Sequence, residues 1–240
     1  MTSTADSVDE TADASGAGAA DGEQSPDDTA ACTGWDGREC EGTAHCPPRC
    51  PRFVDKRGTA WTIRPAVLED AAQLAEMYEG FGGQNRAQGL PPITRSRRAT
   101  WIETLLTNGS NVVAEREGEL FGHATYTPTE KDRPELAVFV HPSMQGRGLG
   151  TELCRHVVAD AAAGNRDELT LHVETGNQVA RSVYENIGFE VVERQGDITM
   201  RLPLDGQVAT EVRWPPLVRE GPSDPSTGDR TAEPVSEETH

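Results

Sequence analysis

The chain has 240 residues and a formal net charge of −18, from 40 acidic and 22 basic side chains. That balance argues against a nucleic-acid partner, because phosphate contacts need a basic surface, and no apolar run is long enough to span a membrane. The N-terminus has neither a basic start nor an apolar signal core, so a cytoplasmic protein is expected.

Residues 1–31 hold eight acidic and no basic side chains among Ala, Gly, Ser and Thr, and residues 205–240 hold eight acidic and three basic ones amid prolines. Neither segment has enough apolar surface to offset its ordering entropy, so both are expected to be disordered. They carry −8 and −5 of the total, leaving −5 for residues 32–204. Lysine occurs only at Lys56 and Lys131. Many carboxylates with almost no lysine suit a halophilic protein kept soluble by its net charge, although a GC-rich genome also favours Arg over Lys.

Residues 32–58 gather Cys32, Cys40, Cys46 and Cys50, with His45 beside Cys46. In a cytoplasmic protein such crowding points to metal more than to disulfides. Four thiolates suit zinc; an iron–sulfur cluster or plain thiols are the alternatives, since no spacing is Cys-x2-Cys. A structural or interaction role is expected for this segment.

From residue 59 to 204 the pattern alternates regularly. AWTIRPA reads as a strand and EDAAQLAEMYEGF as a helix closed by Gly82 and Gly83. After the loop GGQNRAQGLPPI, SRRATWIETLLTNG reads as a second helix. NVVAERE and ELFGHATY form a hairpin across a Glu-Gly-Glu turn, and PELAVFVHP is a further strand. RGLGTELCRHVVADAAAG is a helix with Leu149, Leu153, Val157 and Ala161 four apart. A strand (ELTLHVET), a helix (NQVARSVYENIG) and two strands (FEVVERQ, ITMRLPL) complete the run. Hairpins outnumber βαβ crossings, so the pattern predicts an α/β domain with a mixed, mostly antiparallel sheet flanked by helices.

The stretch HPSMQGRGLGTELC joins the PELAVFVHP strand to the following helix. Glycines at a strand-to-helix turn let the backbone approach an anion, and the free N–H groups of a first helical turn point toward it. The stretch has no lysine, which excludes a nucleotide P-loop, and the Gly146, Gly148, Gly150 spacing departs from Gly-x-Gly-x-x-Gly. What fits is Gln-x-x-Gly-x-Gly, with Gln145, Gly146, Arg147, Gly148, Leu149 and Gly150 in order.

This loop resembles the pyrophosphate loop of the GCN5-related N-acetyltransferase (GNAT) family. The later series Asn177, Ala180, Tyr184, Gly188, Phe189 matches a second run typical of that family. The resemblance implies the GNAT fold and transfer of an acyl group, usually acetyl, from coenzyme A to an amine on a small molecule or a protein. It implies that the backbone groups of Gly146 to Thr151 hold pyrophosphate, with Arg147 adding a charge-assisted bond. Val138, Phe139 and Val140 would receive the pantetheine arm, and Asn177 would also contact the cofactor. Tyr184 would act as the general acid near the thioester sulfur, unless it is simply a core tyrosine, and Glu135, His172, water or another group would be the base that takes the amine proton. A non-catalytic acyl-CoA sensor coupled to the metal module is the competing reading, because cofactor binding alone needs the same loop.

Overall fold

In the computed structural model, Cys40 and residues 46–82, 90–205 and 207–213 are described. The chain divides into a unit Met1–Thr33, which lies outside those residues, and a unit Gly34–His240, which holds every element below. The expected N-terminal tail, Cys32, His45 and the loop residues 83–89 with Arg86 also lie outside them. Among the described residues, no helix is long and apolar enough to cross a membrane.

Eight strands form one sheet: β1 (Arg52–Val54), β2 (Ala60–Pro65), β3 (Ser110–Arg116), β4 (Glu119–Thr127), β5 (Glu135–Val140), β6 (Glu168–Val173), β7 (Glu190–Gln195) and β8 (Asp197–Pro203). Their spatial order is β1-β2-β3-β4-β5-β6-β8-β7. Every pairing is antiparallel except β5 with β6, which is parallel. The mixed, mostly antiparallel sheet is therefore as expected. The helices are α1 (Ala71–Glu79), α2 (Arg95–Asn108), α3 (Leu149–Ala163), α4 (Gln178–Ile187) and α5 (Gln207–Glu211).

Two elements fall outside the alternating pattern. Strand β1 lies in the segment assigned to the Cys-rich module and pairs Phe53 with Trp61. Three residues are too few for a period-two signal, and the strand exists because β2 offers it a backbone edge. Helix α5 lies in the C-terminal tail. It is held by apolar contact, with Val208 packed on the core and Val212 buried.

Period-two alternation splits the core between the sheet faces. On one face, Trp61, Ile63, Ala124, Leu136, Leu169, Leu171 and Met200 pack against Leu149, Leu153, Val157 and Ala161 of α3. On the other, Val113, Leu120 and Phe139 pack against Leu74, Met77 and Tyr78 of α1 and Ile102 of α2. A buried polar chain threads this second face. The Asn111 amide nitrogen donates to the carbonyls of Leu105 and Gly109, so its oxygen is left to accept from His123 Nε2 at 3.0 Å. His123 Nδ1 then accepts from the Tyr78 hydroxyl at 2.6 Å. Burial pushes the His123 imidazole down to about 4, against the pull of Asp70, so it stays neutral at physiological pH.

A second polar knot ties the β1–β2 hairpin to the loop ahead of α3. Asp55 is buried and accepts hydrogen bonds from the Trp61 indole at 2.8 Å and from the N–H groups of Arg57 and Thr59. Its Oδ2 lies 2.6 Å from Arg147 Nε. The Arg147 guanidinium sits 5.7 Å from the Trp61 ring and also donates to Thr59 Oγ1 and Met144 Sδ. The Lys56 N–H donates to the Arg147 carbonyl at 3.1 Å. Burial opposes ionisation of Asp55, but the hydrogen bonds from Trp61, Thr59, Arg57 and Arg147 outweigh it and hold the carboxyl at about 2.

Because that pKa lies below the unfolded value of 3.8, the contribution of Asp55 to stability is complete above the unfolded pKa and is lost as pH falls through the folded one. Urea unfolding should show about 2 kcal/mol of stability disappearing over that interval. Asp55→Asn should remove this pH dependence and cost about 3 kcal/mol at pH 7, because it leaves a buried guanidinium without its counter-charge. On the opposite flank of α3, a Cβ at Gly122 would lie 2.6 Å from Leu153 Cδ1 and 3.3 Å from Ala114 Cβ. Leu153 is fully buried and has nowhere to move, so Gly122→Val should cost about 2 kcal/mol or more in the same assay.

Candidate active site

Strands β5 and β6 share a single registered pair, Glu135 at the start of β5 with Thr170 in β6. Beyond it they splay. The His141 N–H donates to Phe121 on β4, so by alternation the backbone groups of Val138 and Val140 face the splay. Helices α3 and α4 follow the two diverging strands, and the space between them is a cleft of about 640 Å³. Val138, Phe139 and Val140 form one wall, and Glu174, Gly176, Asn177, Ala180 and Tyr184 form the other. Gln145, Gly146, Gly148, Leu149, Gly150 and Thr151 close one end.

The glycine loop is built as its sequence requires. Gly146 and Gly148 have φ of 73° and 94°, a region that L side chains rarely adopt. Gly148 caps α3 and its carbonyl accepts from the Glu152 N–H. The N–H groups of Leu149, Gly150 and Thr151 therefore sit in the first turn with no partner inside the helix. The positive end of the α3 dipole lies at the same place, so the loop suits an anion. The Gln145 amide donates to the Val140 carbonyl at 3.1 Å and ties the loop back to β5.

The second motif is organised by helix capping. The Asn177 side chain accepts from the Ala180 N–H at 3.1 Å as the N-cap of α4, and Gly188 ends that helix at a φ of 115°. Tyr184 lies between them, nearly buried, with its ring 5.8 Å from Phe189. Burial, with Cys154 beside it, pushes the Tyr184 phenol well above its ordinary value, so it is protonated throughout the physiological range.

Three of the expected site side chains lie outside the cleft. The Arg147 side chain is not a cleft group: it is buried against Asp55, Thr59 and Trp61, so only the backbone at this position is left to the loop. A sequence motif fixes the position of an arginine but not the carboxylate that claims it, here 92 residues away by numbering. Glu135 and His172 do not line the cleft either. Both are exposed, on the sheet face that carries Phe139, and His172 Nδ1 lies 3.2 Å from Thr199 Oγ1. Glu174, just past the end of β6, is the carboxylate on the cleft wall. Lys56, on the turn after β1, is the only cationic side chain among the described residues that line it. Neither Glu174 nor Lys56 belongs to either motif, and only the tertiary arrangement brings them in.

The metal expectation is not met among the described residues, where no group of three or more His, Cys, Asp or Glu side chains is gathered as a metal cradle. Cys40, Cys46 and Cys50 are half-buried, and Cys32 lies outside the described residues. Cys154 is fully buried in the core.

Residues 74–189 match the model of the acetyltransferase (GNAT) family. The chain is 25% identical over 138 residues to an L-methionine sulfoximine/L-methionine sulfone acetyltransferase of Pseudomonas aeruginosa, covering 54% of this chain and 80% of that protein. It is 26% identical over 144 residues to the L-amino acid N-acyltransferase MnaT of Escherichia coli, covering 57% and 84%. Among solved structures, yncA of Salmonella typhimurium, described as a putative acetyltransferase with its cofactor acetyl-CoA, has the same fold, with a TM-score of 0.53, 24% identity and coverage of 62% and 96%. The loop, the splayed strands and the capped helix behind them thus stand where a family match covers them, and residues 74–189 form a domain of the acetyltransferase (GNAT) family.

Proposed function

We propose that this N-acetyltransferase moves the acetyl group of acetyl-CoA to the primary amine of a small, amino-acid-like acceptor by direct attack. The observation that carries the reading is the splay of β5 from β6, with a glycine loop and a helix N-terminus at one end and a nearly buried tyrosine on its wall. The acceptor class is supported by the two relatives named for amino acids and a methionine derivative.

Acetyl-CoA supplies an acetyl thioester whose carbon accepts the amine. The residues of the chain do the rest. The first-turn N–H groups of α3 hold the pyrophosphate. The backbone groups of Val138 and the N–H of Val140, which face the splay, satisfy the amides of the pantetheine arm as a further strand would. Glu174 takes the proton of the attacking amine, directly or through one water. The C–N bond forms as the C–S bond breaks, and the Tyr184 hydroxyl donates a hydrogen bond to the sulfur as negative charge develops there. A phenol held so firmly protonated serves better as that donor than as a freely dissociating acid. The acidic, lysine-poor composition further supports a cytoplasmic protein kept soluble at high salt.

A thiol-release assay with acetyl-CoA and a panel of amines (L-amino acids, their sulfone and sulfoximine analogues, polyamines and peptide N-termini) tests the reading. Turnover should be highest on the amino-acid group. Tight coenzyme A binding with no turnover on any amine would overturn it in favour of a non-catalytic sensor. Tyr184→Phe should lower kcat about a hundredfold while leaving KM for acetyl-CoA nearly unchanged. Glu174→Gln should lower kcat about a hundredfold, whereas Glu135→Gln and His172→Ala should leave it nearly unchanged; the opposite pattern would return the base to one of the latter two.

A further inference from the structure

The cleft must hold a coenzyme with several phosphate charges on a chain whose own net charge is −18. The arginine inside the glycine loop does not offset that repulsion, because its guanidinium is buried on Asp55. We infer that Lys56 is the residue that recognises the pyrophosphate, and that the β1–β2 hairpin is a cofactor clamp built onto the domain ahead of the family-matched region. The inference rests on the coenzyme A reading above and adds to it a residue, a phosphate and a source of specificity.

Three observations converge on it. First, Lys56 is exposed and lines the cleft, and no other described lining residue is cationic. Second, its stem lies along the glycine loop: a Cβ placed on Gly148 would be 3.7 Å from Lys56 Cε and 3.8 Å from Cγ, with Phe53 Cζ at 3.7 Å on the same side. The ammonium is one bond beyond Cε, and Gly148 is the N-cap of α3. Third, the backbone under it is fixed. The Lys56 N–H is bonded to the Arg147 carbonyl, and the preceding residue, Asp55, is locked by Trp61, Thr59 and Arg57. Its carboxylate is therefore committed elsewhere and does not neutralise the lysine. The hairpin lies before residue 74, where the family match begins, so the cation comes from outside the matched region. A mobile ammonium on a rigid turn reaches a phosphate as a point charge, and the neighbouring Gly148 leaves the approach open.

Calorimetric titration of the full chain with coenzyme A and with dephospho-coenzyme A, which keeps the pyrophosphate but lacks the 3′-phosphate, tests this without needing an acceptor. Lys56→Met keeps the stem that packs on the loop and removes the charge. It should weaken both ligands equally, about tenfold each, with an unchanged melting temperature. Lys56→Arg should restore most of the affinity for both. A loss confined to coenzyme A would move the contact to the 3′-phosphate and overturn the assignment. No loss with either ligand, or the same loss in Lys56→Arg as in Lys56→Met, would overturn it by showing that the charge is not what matters. If the unaltered chain binds neither ligand, the coenzyme A reading itself fails, a result distinct from all of these.

Discussion

The ion pair between Asp55 and Arg147 is the constraint on which the rest of the cleft depends. It joins a turn near the start of the sheet to a loop that precedes α3, and it does so under the face of Trp61 in a place closed to water. A buried pair of this kind has to recover the cost of desolvating two charges, and it does so only with full hydrogen bonding. Asp55 meets that requirement with three donors besides the guanidinium. The result is a glycine loop anchored at its arginine, so that two left-handed glycines flank a fixed point. A loop with so little side-chain packing would otherwise have many conformations of similar energy.

That anchoring has a chemical consequence. An anion site made from backbone N–H groups works because its donors are already oriented and need no reorganisation when the ligand arrives. The arginine serves this end indirectly, by holding the backbone, while its charge is cancelled by Asp55. The cleft therefore receives oriented amides from the loop and a positive charge from elsewhere, the hairpin lysine. Separating rigidity from charge in this way suits a strongly acidic chain, in which a stray cation near the surface has many competing carboxylates.

The walls of the cleft follow from ordinary strand geometry. β5 is fully paired to β4 along its length, but it meets β6 only at Glu135 and Thr170. Past that pair, α3 and α4 pack their apolar faces onto the same side of the sheet and fill the angle between the strands from behind. Tyr184 reaches the gap because Asn177 starts α4 and Gly188 ends it, which fixes the rotation of the helix about its axis. The Asn177 side chain is engaged in that cap, so its part in the site is to set the position of Tyr184 as much as to touch a ligand.

Much of this was legible in the sequence. The order of strands and helices from Ala60 onward, the antiparallel character of the sheet and the backbone demands of the glycine loop follow from local sequence, which neighbouring residues settle among themselves, while the Asn177–Phe189 run stands out through its resemblance to the family. Strand β1 and helix α5 were not legible, because each is too short to show a period and exists only against a partner distant in the chain. The same division runs through the site. The anion-suited loop could be read from spacing, since a glycine conformation is a local property, whereas Tyr184 was implied by the resemblance to the family. The commitment of Arg147 to Asp55, the placement of Glu135 and His172 outside the cleft, and the arrival of Lys56 and Glu174 within it were decided by the tertiary structure alone. A charged side chain is placed by whichever opposite charge and solvent boundary it meets after folding, and neither is encoded in its immediate sequence.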